Sequence, residues 1–268
     1  MAELSSTNPR VAAWLDHIRT LAVEIGPRGP TRSGERQGAR YAQTKLEGMG
    51  LQPRLETFYS ARSIFHPHLL GSGLMLLAFI LFPLGGRFSV ILSALISLFA
   101  VVCELLELSF IRNPFRWIVP KGQSQNVFAV ISPSGEHRQD LVLVGHLDSQ
   151  RTPIIFSTRS WVKIYDRFTM LTFICFILQI VVYSLAVFIN LPWAWYASIP
   201  SAVCAILLAS MCLQAEATPF TAGANDNASG VGIVLALAKE FSAQPLQHTR
   251  VWAVCTGCEE VQHYGMID

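Results

Sequence analysis

The chain has 268 residues, of which 51% are hydrophobic and 14% are charged, and its mean hydropathy is +0.40. This composition is too apolar for an ordinary soluble domain, and the excess lies in two blocks, residues 69–106 and 168–213. The formal net charge of +2, without a basic stripe interleaved with aromatic residues, argues against a nucleic-acid partner.

The first 60 residues are polar and contain two helical patterns and one extended pattern. Residues 9–25 carry apolar side chains at helical spacing, and Asn8 precedes them as a candidate N-cap. Residues 36–49 have the pattern of a second helix that ends at a glycine. Residues 51–59 alternate as a strand does, and Pro53 favours a place near the edge of a sheet.

The two apolar blocks each have the pattern of a transmembrane helical hairpin. Residues 69–84 and 88–106 form the first pair, and residues 168–189 and 193–213 form the second. A bilayer core of about 30 Å needs about 20 helical residues, and each segment is close to that length. The alternative, buried hairpins of a soluble domain, is disfavoured because no segment has a polar face to meet water. Glu104 is an acid near the end of its segment, from where its side chain can reach the membrane interface.

Two hairpins leave every polar segment on the same side of the bilayer. Basic residues flank the hairpins on that side, whereas the opposite turns carry Arg87 alone. By the positive-inside rule we expect an integral membrane protein with four transmembrane helices and a cytoplasmic polar domain. The flanking basic residues are Arg62, Arg112, Arg116, Lys121, Arg159, Lys163 and Arg167.

The stretch LVLVGHLDS, residues 141–149, begins with four apolar residues typical of a buried strand of a parallel sheet. Residues 126–131 precede it as another predicted strand. His146 and Asp148 follow the apolar run, at the place where open α/β sheets carry their chemistry. A His with an acid two residues later suggests a metal ligand and the group that orients it, and a plain polar turn is the alternative.

Two later stretches also end in acidic residues. Asp226 lies in NDNASG, before an apolar helix over residues 231–241, and is a candidate ligand or equally the N-cap of that helix. A further strand over residues 251–254 runs into Glu259 and Glu260. Adjacent carboxylates point in different directions, so one can bind a metal ion while the other accepts a proton. Imidazole and carboxylate ligands together suit zinc or a similar divalent ion.

The six cysteines do not have the pattern of a disulfide framework. Four of them lie inside the apolar blocks, where Cys behaves as a small hydrophobic residue. Cys255 and Cys258 form a C-x-x-C, but a redox or zinc role needs a partner pair or a thioredoxin-like context, and the sequence has neither.

The order GHLDS, then NDNASG before a helix, then a strand ending in CEE resembles family 28 of the metallopeptidases, the two-zinc aminopeptidases. The resemblance covers roughly residues 9–60, 122–152 and 220–265, and neither apolar hairpin belongs to it. It implies a zinc exopeptidase-like α/β fold with a mostly parallel-core mixed sheet flanked by helices, into which the two hairpins are inserted.

The resemblance also implies roles for five side chains. His146 would bind one zinc ion, Glu260 would bind the other, and Asp226 would bridge the two ions. Glu259 would be the general base, and Asp148 would orient the imidazole. The implied reaction is attack of a metal-activated water on a peptide bond, which releases the N-terminal residue of a peptide substrate.

The chain departs from the family pattern after the two adjacent glutamates. The family supplies a further Asp and a final His downstream, whereas this chain stops at Asp268, and His263 is not in the family's position. We therefore expect an N-terminal portion of a longer enzyme or a truncated product, with little or no activity in this form. A non-catalytic membrane scaffold with a degenerate peptidase fold and a glutaminyl-cyclase-like acyl transfer are the alternatives.

These patterns divide the chain into five consecutive segments. Residues 1–65 are the N-terminal part of the peptidase-like domain, 66–110 the first transmembrane hairpin, 111–165 the central strands, 166–215 the second hairpin, and 216–268 the NDNASG helix and CEE strand.

Overall fold

The computed structural model describes residues 8–262 and Gly265, so the expectation for His263 lies outside the described residues. Its helices and strands, in chain order, are α1 (Pro9–Arg19), α2 (Ser33–Gly48), β1 (Arg54–Ala61), α3 (Phe65–Leu81), α4 (Gly86–Leu108), α5 (Phe115–Ile118), β2 (Lys121–Ile131), β3 (Gln139–His146), α6 (Arg159–Phe188), α7 (Ala194–Ala197), α8 (Ile199–Glu216), α9 (Ser229–Ala243) and β4 (Thr249–Thr256). A wide helical turn over Thr20–Ile25 continues α1, and another over Ala224–Ala228 precedes α9.

The chain forms two compact units, and each is built from separate stretches of sequence. The sheet unit contains Met1–Arg62, Lys121–Arg151 and Pro219–Asp268. The helical unit contains Ser63–Pro120 and Thr152–Thr218. The helical unit therefore interrupts the sheet unit twice along the chain, between β1 and β2 and between β3 and α9.

The sheet unit contains a four-stranded mixed sheet in the order β1-β2-β4-β3. β2 pairs antiparallel with both β1 and β4, and β3 pairs parallel with β4. The predicted α/β fold with a mixed sheet flanked by helices is confirmed. The expected mostly parallel core is not found among the described strands. Because β2 runs antiparallel to both of its neighbours, β3 and β4 form the one parallel pair.

One face of the sheet carries the core of this unit. The helices α2 and α9 pack on that face and α1 packs on α9. Gly145 allows this packing, since an added Cβ would lie 2.8 Å from the backbone nitrogen of Val231 at the start of α9. Fully buried side chains from these elements include Leu21, Ala39, Leu46, Val127, Ala129, Leu235, Val251 and Ala253.

The strand β3 is less buried than the sequence predicts. Leu141, Val142 and Val144 are 37%, 55% and 44% exposed, whereas Val251 on β4 is fully buried. β3 is at the edge of the described sheet, and alternate residues of a strand point away from the helices. An apolar run therefore did not mean burial on both faces. The edge position expected for the strand after Pro53 is found, because β1 is the other edge.

The helical unit contains four helices that are long and apolar enough to cross a membrane. α3 packs against α4 and α8, and α6 packs against α4 and α8. Large apolar side chains also point outward, for example Leu95, Ile177 and Leu207, which are about half exposed. Fully exposed to water, such a surface would be unfavourable.

All four helices differ from the predicted bounds, and two of them differ most. α6 has 30 residues and begins at Arg159, because Thr158 caps it by accepting a hydrogen bond from the Trp161 backbone nitrogen. The predicted continuous segment over residues 193–213 is divided into α7 and α8. Pro200 lies in the first turn of α8, a position that suits proline because its missing N–H is not needed there.

The carboxylate of Glu104 is buried inside the helical unit. Glu104 is 4% exposed, and its Oε2 lies 2.7 Å from Nδ1 of His68 on α3. Glu107, one turn later, is 1% exposed and accepts hydrogen bonds from Asn113 and Arg116. Both glutamates therefore have polar partners inside the helical unit.

Candidate metal centre

Five predicted side chains come from the ends of three different elements. His146 is the last residue of β3, Asp148 follows it, and Asp226 lies in the turn before α9. Glu259 and Glu260 follow β4. His146 is paired in register with Thr256 in the parallel β3–β4 ladder, so both strands end at the same edge of the sheet.

The structure brings these side chains together. Ligand atoms of His146, Asp226 and Glu260 all lie within 4.8 Å of one another. The imidazole Nε2 is 3.0 Å from Oδ1 of Asp226 and 3.6 Å from Oε2 of Glu259. An imidazole and several carboxylates converging on one point form the type of donor set that binds a divalent cation.

Asp148 lies behind the imidazole and is completely buried. Its Oδ1 is 3.4 Å from Nδ1 of His146, the ring nitrogen opposite to the one that faces Asp226. Its two carboxylate oxygens also accept hydrogen bonds from the backbone nitrogens of Glu259 and Glu260, at 3.1 and 2.9 Å. One buried carboxylate therefore contacts both the imidazole and the turn that carries the two glutamates.

The charges in this cluster shift the protonation of its members. Burial disfavours the imidazolium form of His146, but the hydrogen bond and charge of Asp148, together with Glu259 and Glu260, raise its pKa to about 9. Burial and the nearby charges of Asp148 and Asp226 raise the pKa of Glu260 to about 8. Negative charge is concentrated here, and a cation is the natural way to compensate it.

The carboxylate of Glu260 has one oxygen with a partner and one without. Gln150 donates a hydrogen bond from Nε2 to Oε2 of Glu260 at 3.0 Å, whereas the buried Oε1 has no hydrogen-bond partner among the described residues. A buried, unpaired carboxylate oxygen is costly unless a ligand satisfies it. This oxygen therefore fits a bound cation.

Asp226 does not cap the helix that follows it. The side chain that accepts a hydrogen bond from the first turn of α9 is Asn227, whose Oδ1 accepts from the Gly230 backbone nitrogen at 2.9 Å. Asp226 instead contacts the imidazole of His146, and its side chain is 71% exposed. The N-cap interpretation of Asp226 is therefore wrong, and its role as a metal ligand stays a prediction.

Three residues that support the cluster were missed by the sequence analysis. Gln150 follows GHLDS directly, so its place in the same polar turn was an available signal. Arg28 is completely buried and donates hydrogen bonds to backbone oxygens on both sides of the site, including Leu147 and Gly223. Glu35 is also completely buried, and its place in the first turn of α2 resembles ordinary helix-terminal charge, so nothing in the sequence marks it.

The C-x-x-C motif has no feature of a reactive site. Cys255 and Cys258 are both completely buried and free. Burial raises the pKa of the Cys255 thiol to about 12, and burial together with the charges of Glu35 and Asp148 raises that of Cys258. Both therefore remain neutral thiols at ordinary pH, which agrees with a packing role.

Residues 210–266 match the model of a family described as Peptidase family M28. We call this matched stretch the M28 segment, and it covers about a fifth of the chain. The M28 segment contains Asp226, Glu259 and Glu260, whereas His146 and Asp148 precede it. No curated protein sequence matches the chain.

Solved structures similar to the chain include three bacterial enzymes at low identity. A leucine aminopeptidase precursor from Bacteroides thetaiotaomicron VPI-5482 is 11% identical with a TM-score of 0.46, over 97% of this chain and 50% of that one. A glutaminyl cyclase from Bacteroides thetaiotaomicron is 12% identical with a TM-score of 0.46, over 94% and 47%. BSAP, a zinc aminopeptidase from Bacillus subtilis, is 11% identical with a TM-score of 0.42, over 94% and 62%. The chain spans about half the length of the first two.

Proposed function

We propose that the chain is a membrane-anchored, metal-dependent hydrolase of the peptidase type that acts on peptide N-termini. The observation that carries the proposal is the convergence of ligand atoms from His146, Asp226 and Glu260 within 4.8 Å. The M28 segment supports a peptidase-type reaction, since it includes two of these residues and Glu259. Zinc is the proposed ion, and two ions are the proposed number.

The residues present fit such an ion. His146, Asp226 and Glu260 would hold it, and the unpaired buried Oε1 of Glu260 would gain a partner. Asp148 lies beside the ring nitrogen that faces away from Asp226, so it would keep the other nitrogen free to bind. When bound, a divalent ion polarises a carbonyl oxygen and lowers the pKa of water toward neutrality.

Glu259 has the position of a general base in this proposal. Its side chain is 24% exposed, and its Oε2 lies 3.6 Å from Nε2 of His146, so it faces the cluster and remains accessible to solvent and substrate. Its backbone nitrogen is bound by Asp148, which fixes where the side chain starts. A carboxylate so placed would accept the proton of the attacking water and pass it to the leaving amine.

Two variants of the full chain, purified in detergent, test the proposal. His146→Ala should abolish zinc binding in equilibrium dialysis. Glu259→Gln should keep the zinc and lose hydrolysis of peptides with a free N-terminal residue. Asn225→Ala is the matched control, because this exposed neighbour of Asp226 has no side-chain contact with the cluster in the described residues, and it should behave as the unaltered chain.

The results separate the proposed hydrolase from its alternatives. A chain that binds no zinc, or a Glu259→Gln variant with unchanged turnover, contradicts the proposal. Cyclisation of a glutaminyl peptide without hydrolysis would indicate acyl transfer instead. Zinc binding with neither reaction would favour a non-catalytic scaffold.

We also propose that the four apolar helices span the bilayer and hold the sheet unit on the cytoplasmic side. Their length and hydropathy support the span. The excess of basic residues in the stretches of sequence that connect these helices to the sheet unit supports the orientation. Arg116 contributes less to this excess than the sequence suggests, because it is 4% exposed and paired with Glu107.

The orientation is tested by labelling single cysteines with a membrane-impermeant reagent in intact cells, in a chain whose own cysteines are replaced. A cysteine at Arg87 should be labelled from outside, and one at Arg62 should be labelled only after lysis. The reverse pattern contradicts the cytoplasmic assignment, and labelling of both positions contradicts the span.

A further inference from the structure

The turn that carries Glu259 and Glu260 is held by side chains from other elements. Four successive backbone N–H groups after β4 each donate to a side-chain oxygen, and the three acceptors come from β2, α2 and the loop after β3. The hydrogen bonds are Gly257 to Asn126 at 3.0 Å, Cys258 to Glu35 at 2.8 Å, Glu259 to Asp148 at 3.1 Å and Glu260 to Asp148 at 2.9 Å.

Glu35 is fixed on both of its carboxylate oxygens. Oε1 accepts from the Cys258 backbone nitrogen and from the Ser124 hydroxyl at 2.9 Å. Oε2 accepts from the Thr31 backbone nitrogen at 2.9 Å. Because the side chain is completely buried and has these three donors, it has little freedom to move.

The backbone of the turn needs this support. Cys258 has φ +52°, in the left-handed region that a residue with a side chain rarely adopts. Gly257 before it packs so closely that an added Cβ would lie 2.8 Å from Oε1 of Glu35 and 2.7 Å from the Gln125 backbone oxygen. The local sequence does not favour such a turn, so the hydrogen bonds from outside it determine its shape.

We propose that Glu35 is a positioning residue, which sets the directions of the Glu259 and Glu260 side chains through the Cys258 amide. It contacts neither His146 nor Asp226, so it would act through the turn and not as a ligand. The expected effect on zinc affinity rests on the proposed function. The expected effect on the shape of the turn does not, since that shape can be measured without an ion.

Two substitutions of Glu35 give opposite expectations. Glu35→Ala removes the acceptor of the Cys258 amide, and zinc should bind about 10- to 100-fold more weakly, the usual loss when a group that supports a ligand is removed. Glu35→Gln can place its carbonyl oxygen where Oε1 now accepts, although its amide group would face Thr31. It should restore most of the zinc affinity.

Leu46→Ala is the matched control for general destabilisation. Leu46 is completely buried on the same helix, and it packs in the core away from the turn. This variant should lower the melting temperature and leave the zinc affinity and the visible absorption spectrum of bound Co²⁺ unchanged. Glu35→Ala should change that spectrum, because the geometry of the ligands around the ion changes.

Amide hydrogen exchange of the metal-free chain provides the second measurement. The peptide that contains residues 257–260 should lose protection in Glu35→Ala and keep it in Leu46→Ala. Equal protection in both variants, or equal zinc affinity of Glu35→Ala and the unaltered chain, overturns the inference. An unaltered chain that binds no zinc overturns the proposed function instead, and exchange then still decides the role of Glu35.

Discussion

His146 and Asp226 are 80 residues apart in the chain, yet Nε2 of one lies 3.0 Å from Oδ1 of the other. The imidazole is mostly buried, with 11% of its side chain exposed, whereas the carboxylate is 71% exposed. His146 is thus held at the end of β3, and Asp226 approaches it from the turn before α9. This asymmetry gives different roles to the two residues in the cluster.

Asp226→Asn should weaken zinc binding about tenfold or more. The substitution removes one anionic ligand, and the amide that replaces the carboxylate has nearly the same shape. Because Asp226 is exposed and does not cap α9, the melting temperature of the metal-free chain should change little. Competition with a chromophoric chelator measures the affinity. Unchanged affinity would show that Asp226 pairs with His146 without binding the ion.

Zinc binding at pH 7 should release about two protons, because His146, with a pKa of about 9, and Glu260, with a pKa of about 8, are both protonated there and must lose the proton to bind. Affinity should therefore rise as pH increases from 6 to 9. Titration calorimetry in two buffers of different ionisation enthalpy counts the protons. Release of none would mean that these groups are already deprotonated.

The raised pKa of another buried acid, Glu35, makes the metal-free fold less stable in base. Burial, with the charge of Asp148, raises the pKa of Glu35 to about 8, although the Cys258, Ser124 and Thr31 hydrogen bonds oppose this. The folded chain then binds more protons than the unfolded chain between about pH 4.5 and 8, so the free energy of unfolding falls as pH rises through this window. Thermal unfolding at a series of pH values should show the fall, and a flat profile would contradict the shift.

The stretches that form the cluster can be recognised in the sequence, because each follows an apolar strand or precedes an apolar helix. Gly145 interrupts one run and NDNASG precedes another, so the break from apolar to polar residues is visible without a structure. That β3 and β4 are parallel and end together is not visible in either stretch. It depends on pairing across more than a hundred residues of chain.

The supporting residues could not be predicted, since their role depends on burial. Glu35 and Arg28 are charged residues in polar surroundings in the sequence, where exposure is the usual outcome. Both are completely buried because backbone groups of distant segments supply their partners. The sequence also did not predict the exposed residues of β3 or the burial of Glu104, because tertiary packing decides both.

Arg28→Lys should reduce the free energy of unfolding by roughly 2–4 kcal/mol, because a lysine cannot reproduce the planar set of donors that binds several buried carbonyl oxygens. The guanidinium donates to backbone oxygens of Leu21, Gly26, Leu147, Ala222 and Gly223. The exposed Arg32→Lys is the control and should change little. Thermal unfolding at fixed detergent concentration compares them, and equal melting temperatures would contradict the role of Arg28.

Gly71→Ala should destabilise the helical unit by roughly 1–3 kcal/mol, because an added Cβ would overlap the buried carboxylate of Glu104. Gly73→Ala on the same helix is the matched control, since an added Cβ there meets no described atom within 4 Å. Adding Glu104→Ala to Gly71→Ala should cost less than the sum of the two single changes, because the smaller side chain leaves room for the methyl group. Additive losses in thermal unfolding, or equal losses at Gly71 and Gly73, would show that Glu104 does not occupy the space beside Gly71.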